Sequence, residues 1–210
     1  MGSEQVSWRS LLVLLVMLLI PDGIALAQQY GLQLDVNRFS SSDDQTEMAF
    51  DIDSEPILDV AFRIQEGAHS LVLGLGYHKW EGKDASLRAE LEVLPIFFSY
   101  RFSPWHDQPI TLFVGGGIGG MLYEANVGTV ASERGRVAAV EPIVGVEFFA
   151  NKKIRLDLST KYSVQIFDDE SDTCFFNCAS AQQDPLEPDM SGLYISASFV
   201  FMWGDFGAGR

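Results

Sequence analysis

The sequence predicts an all-β protein: an eight-stranded antiparallel up-and-down β-barrel that spans a membrane. Three observations predict it. A secretory leader is followed by no further apolar run of membrane-helix length. The remaining chain alternates apolar and polar residues with period two, most clearly over Ile154 to Ile166. The alternating segments number eight, and their connections are mostly long on one side and mostly short on the other.

The leader comes first. Arg9 stands in a short polar lead before the apolar run Leu11 to Ile20, which Pro21 and Gly23 break. Ala25-Leu26-Ala27 supplies the small-x-small pattern that signal peptidase needs. Residues 1–27 are therefore expected to be removed, leaving a barrel over 28–203 and a short periplasmic tail over 204–210. The chain carries 29 acidic against 14 basic residues. That surplus repels phosphate backbones and excludes nucleic acid as a partner.

The segments follow in order. Tyr30 to Arg38 places Tyr30, Leu32, Leu34 and Val36 on one face, with Gln33, Asp35 and Asn37 on the other. Leu58 to Ile64 sets Leu58, Val60, Phe62 and Ile64 against Asp59, Ala61 and Arg63. Ser70 to His78 carries Leu71, Leu73, Leu75 and Tyr77 on its apolar face. Leu87 to Phe102 opens with Leu87, Ala89, Leu91 and Val93 against Arg88, Glu90 and Glu92, then enters the wholly apolar LPIFF, where the faces blur. Ile110 to Tyr123 is rich in glycine, which lets a barrel wall bend or makes room for large neighbours inside. Val137 to Phe149 sets Val140, Pro142, Val144, Val146 and Phe148 against Glu141, Gly145 and Glu147. Ile154 to Ile166 alternates almost without fault, and its length is about twice that of an ordinary strand. Leu193 to Trp203 closes the series.

The connections alternate. Phe39 to Pro56 is long and acidic, and Glu66-Gly67 is tight. Trp80 to Ser86 is moderate, Ser103 to Pro109 holds two prolines, and Asn126 to Gly135 is longer. Asn151-Lys152-Lys153 is tight, and Phe167 to Met190 is the longest. Long loops on one rim, with short turns and both termini on the other, are the habit of outer-membrane barrels.

The composition of the two faces sets the orientation. The polar faces carry Asp35, Asp59, Arg63, Arg88, Glu90, Glu92, Glu141, Glu147, Arg155, Asp157 and Lys161. Opposed charges suit a narrow interior where carboxylates meet guanidinium and ammonium groups, while the bulky apolar faces suit lipid tails. Closure also gives every backbone donor and acceptor a partner inside the membrane. Aromatics near strand ends, Tyr30, Tyr77, Trp80, Phe102, Trp105 and Trp203, are expected to form interfacial belts.

The eight-strand plan resembles small outer-membrane β-barrel proteins of the OmpA-like type. The stretch Val93-Leu94-Pro95 to Ser99-Tyr100-Arg101-Phe102 and the closing Gly192-Leu193-Tyr194 to Phe199-Val200-Phe201 carry the likeness. It implies residence in the outer membrane of a Gram-negative-type bacterium as a monomer. Outer-membrane lipid and lipopolysaccharide are the implied surroundings, with an extracellular ligand to be sought at the long loops. The sequence departs from the type in running on from Gly204 to Arg210.

Catalytic chemistry is not expected. His69, His78 and His106 fall on different rims, so neither a metal site nor a triad assembles, and no cofactor is expected. A lipid-modifying enzyme would place a His-x-Ser pair on a lipid-facing strand, and the chain has none. Cys174 and Cys178 lie in the longest loop, where an oxidising compartment makes a local disulfide the default. The loops 39–56 and 167–190 are acidic and hold no Lys or Arg after Phe39 or Phe167. Two functions remain in view. One is a non-enzymatic protein of structural or surface-contact role acting through long acidic loops. The other is a narrow cation-selective pore. Because eight strands leave an interior just filled by side chains, a salt-bridge plug is favoured over a pore.

Overall fold

The computed structural model describes residues 29–42, 51, 56–84, 87–127, 131–170 and 190–204; side chains at 83–88, 127–133 and 168–170 are not described. The leader, the tail after Gly204, both cysteines and most of the two long acidic loops lie outside the described residues, as does the Arg88 side chain.

The described chain forms strands β1 (Gln29–Ser41), β2 (Ile57–Glu66), β3 (His69–Gly76), β4 (His78–Asp84), β5 (Leu87–Phe102), β6 (Ile110–Val127), β7 (Ala131–Phe148), β8 (Ile154–Glu170) and β9 (Gly192–Gly204). Every neighbour pairs antiparallel. The order β3-β2-β1-β9-β8-β7-β6-β5-β4 is closed by β3 on β5. The segments β3 and β4 run in line along β5, so the nine segments make eight staves. The break has a chemical cause. Leu75 pairs with Ile96 and His78 with Val93, which sets Gly76-Tyr77 opposite Leu94-Pro95. Pro95 has no amide hydrogen to donate, and the ladder to β6 continues through Pro95 and Met121. The missing donor therefore falls on the β3 side. Pro142 does the same to the β7–β8 ladder, whose pairs jump from Val140–Val164 to Ile143–Lys161.

Several sequence-based boundaries move: β1 runs on to Ser41 and β8 to Glu170, into the expected loops over 39–56 and 167–190. Residues 126 and 127 belong to β6 and residues 131 to 135 to β7, so most of the expected loop over 126–135 is strand, and 128–130 lie outside the described residues. Much of the expected loop over 80–86 is likewise strand, paired from Trp80–Leu91 to Asp84–Leu87. The barrel is consequently lopsided. The strands β6, β7 and β8 have 17 or 18 residues, whereas β1 and β9 have 13. At about 3.3 Å per residue and a tilt near 40°, the longer strands rise about 45 Å, well beyond a hydrophobic band about 25 Å tall. The surplus projects on the side away from the termini, because Gln29 and Gly204 pair beside the Gly67-Ala68 turn.

Bulky inward rings sit where a neighbouring strand has no side chain. A Cβ at Gly74 would lie 2.1 Å from the Phe97 ring, and one at Gly135 would lie 2.3 Å from the Tyr123 hydroxyl. These glycines are required by space, and they let an eight-stranded lumen close around aromatic side chains.

Candidate functional site

Among the described residues, the lumen gathers the largest group of buried charged side chains, and it is layered. Nearest the termini, five charges alternate in a chain. Arg155 Nη1 donates to Glu147 at 2.9 Å, and Arg63 Nη2 donates to Glu147 at 2.6 Å. Asp157 lies 3.2 Å from Arg63 and 3.0 Å from Arg101. All five side chains are buried. The outer ends are tied as well. Arg155 also donates to Gln65 at 2.6 Å, to Gln29 and to the Lys152 carbonyl, and the Arg101 guanidinium lies 4.9 Å from the centre of the Phe113 ring. Register explains the assembly: Glu147, Asp157, Ser198, Asp35, Asp59 and Gly76 form one cross-strand row facing inward.

A middle layer follows. Lys161 reaches both Glu141 oxygens at 3.3 Å and sits over the Phe97 and Tyr194 rings at 4.8 and 4.3 Å. His78 Nε2 lies 2.8 Å from Asp59, which accepts a 2.6 Å bond from Asn37, itself bonded by Ser196. Gln33 donates to Asp35 at 2.7 Å. A cavity here, between Asp35, Asp59, Ser99, Arg101, Glu141 and Lys161, measures about 20 Å³, space for little more than one water. The top layer is apolar, with Phe39, Trp80, Leu91, Tyr123, Met190 and Tyr194 packed in one buried cluster. The Phe39 and Tyr194 rings pack at a tilt of 32° with centres 4.4 Å apart.

Of the charges expected inside, Asp35, Asp59, Arg63, Glu141, Glu147, Arg155 and Asp157 are buried in the lumen, and Lys161 joins them through Glu141. Glu90 and Glu92 are corrections. Their neighbours Ala89, Leu91 and Val93 are the buried ones, and the two carboxylates face outward, 26% and 36% exposed, around Lys79. Trp80 is a second correction: it is 2% exposed inside the cap and does not belong to the interfacial belt. Tyr77, Phe102, Trp105 and Trp203 do lie on the outside. The reason is height. Above the bilayer the outside is water, so the apolar face turns inward as it does in a soluble barrel. Arg101 is a lumen residue the sequence reading did not include, and His78, which the alternation sets on the polar face of Ser70 to His78, is buried in the lumen bonded to Asp59. Arg101 was legible only as the inward partner, at period two, of Ser99 in a stretch whose faces blur.

The projecting wall carries its own charges. Lys79 donates to Glu90 at 2.7 Å and approaches Glu92 at 3.4 Å, and the bond to Glu90 holds its ammonium above the usual range. Arg134 meets Glu124 at 2.9 Å. Below this zone the outer surface is a belt of exposed apolar side chains that includes Leu34, Leu58, Ile96, Phe98, Ile118, Val144, Leu158 and Phe199.

A closed eight-stranded barrel that is ionic inside and apolar around its waist is a membrane-spanning β-barrel of the outer-membrane class, and that membrane is where it resides. The solved structures it resembles are of this class. Neisserial surface protein A superposes with a TM-score of 0.50 at 10% identity, covering 83% of this chain and 96% of that one. A major outer membrane protein from Thermus thermophilus superposes with a TM-score of 0.52 at 9% identity, covering 84% and 100%. The likeness is one of fold. No protein-family model and no curated protein matches the sequence.

Proposed function

We propose that the protein is a plugged, non-conducting outer-membrane barrel that anchors a projecting surface for contact with an extracellular partner. The observation that carries this reading is the filling of the lumen in successive layers. An ionic chain and an apolar cap close it in series, and the cavity between them holds about 20 Å³. Ions would have to cross both layers, and the described side chains of the cap offer a cation little beyond the Tyr123 and Tyr194 hydroxyls to replace its water. Strands that rise beyond the bilayer, with outward Lys79, Glu90, Glu92, Glu124 and Arg134, support a role at the surface. The acidic segments 42–56 and 171–190 would favour a partner with a basic face.

Single-channel recording of the unmodified protein in a planar bilayer tests this. The expected result is no steady conductance. Steady cation-selective current would overturn the plug and give the function to a narrow pore.

A further inference from the structure

The outward side chains of neighbouring strands form cross-strand rows that locate the edge of the hydrocarbon. One row, Leu75, Ile96, Gly120 and Ala138, is apolar. Four residues higher, the row reads Lys79, Glu92, Glu124 and Arg134 and is fully charged. Between them lie Leu94, Leu122 and Arg136, in register with one another, and Tyr77 at the break between β3 and β4. The water–lipid boundary on this wall therefore falls at Tyr77, Leu94, Leu122 and Arg136.

A groove opens at that height. It has a volume of about 840 Å³ and is lined by Tyr77, Glu92, Leu94, Leu122, Glu124 and Arg136, among others. Its floor continues downward over bare backbone, since a Cβ at Gly120 would meet no atom within 4 Å. The carboxylates beside it are already engaged: Glu124 pairs with Arg134 at 2.9 Å, while Glu92 receives Lys79 and the Tyr77 hydroxyl. Arg136 is exposed and makes no ion pair with another described residue. A guanidinium unpaired among the described side chains, which do not include that of its cross-strand neighbour Asp169, thus stands at the headgroup level, above Gly120, where β6 has no side chain. Guanidinium forks match phosphate oxygens, and a groove of this size accommodates the upper part of an acyl chain as well as a head.

We propose that this groove binds a lipid with an anionic phosphate headgroup, drawn from the leaflet opposite the chain termini. Its phosphate lies on Arg136 and its first methylenes lie over Gly120. The site is on the outer wall, so it is independent of whether the lumen conducts.

Native mass spectrometry of the purified protein in a neutral detergent tests the site. Phosphatidylglycerol and phosphatidylcholine of identical chains are the probes. The wild type should retain phosphatidylglycerol in preference. Arg136→Gln should weaken its apparent affinity about fivefold, the usual contribution of one arginine at a charged membrane surface. Gly120→Leu, which fills open space and leaves the fold intact, should weaken retention of both lipids. Lys152→Gln, in a turn at the other rim, should change nothing, and inorganic phosphate at millimolar concentration should displace neither lipid. Equal retention of the two lipids by the wild type would overturn the proposal. So would wild-type affinity in Arg136→Gln, or displacement by inorganic phosphate, which would mark a site for free anions.

Discussion

Neutralising Glu147 should harm the barrel more than removing the arginine at the centre of the same network. In the buried chain Arg155–Glu147–Arg63–Asp157–Arg101 each carboxylate lies between two guanidinium groups, so three positive charges face two negative ones. Glu147→Gln preserves shape but raises the imbalance to two, and it leaves Arg155 with no carboxylate among its described partners. Arg63→Met instead leaves two complete pairs, Arg155 with Glu147 and Arg101 with Asp157. Stranding a buried charge costs about 3–5 kcal/mol. Arg63→Met should cost on the order of 1–2 kcal/mol, from hydrogen bonds lost to Ser70 and the carboxylates. The double variant should be less destabilised than the sum of the two single changes, because removing Arg63 relieves the repulsion created at Glu147. Urea unfolding in phospholipid vesicles, followed by tryptophan fluorescence, measures all three. The reasoning fails if Glu147→Gln unfolds within about 1 kcal/mol of the wild type, or less readily than Arg63→Met.

Other outcomes follow from position. Ile118→Arg places a charge on a side chain 62% exposed to lipid, well below the headgroup boundary, and should lower stability by about 2–4 kcal/mol in the same assay. Gly74→Ala drives a methyl into the Phe97 ring and should cost about 1–3 kcal/mol. Gly120→Ala meets open space and should stay within about 0.5 kcal/mol. Brominated lipid should quench variants whose sole barrel tryptophan is Trp203 and leave one retaining Trp80 bright. The reverse order would place Trp80 outside and remove it from the cap.

Within the bilayer, the sequence was a sufficient guide. A strand there separates lipid from a polar interior, so one face must be apolar and the other must carry groups that can pair. Leu32, Leu34 and Val36 on β1, or Leu156 and Leu158 on β8, could thus be read as lipid-facing beside inward Asp35 and Asp157. The number of staves and the position of most turns follow from the same alternation, broken by Glu66-Gly67 and Asn151-Lys152-Lys153.

Above the bilayer the same alternation means the opposite, and β5 shows why. Odd-numbered residues point inward along the strand from Ala89 to Arg101, and its register with β6 is unbroken. Yet the apolar residues sit at odd positions up to Val93 and, Phe97 aside, at even positions from Ile96 to Phe102. In the sequence that change of phase reads as a blur at LPIFF. In the barrel it marks the height at which the outside changes from water to lipid, and height depends on pairing with β4 and β6. The order of the ion pairs is set in the same way. Arg155 and Glu147 are close because neighbouring strands align them, while Arg63 and Arg101 reach their carboxylates across the lumen. Charge and period can be read along one strand, but distances across a closed ring exist only once the ring has closed.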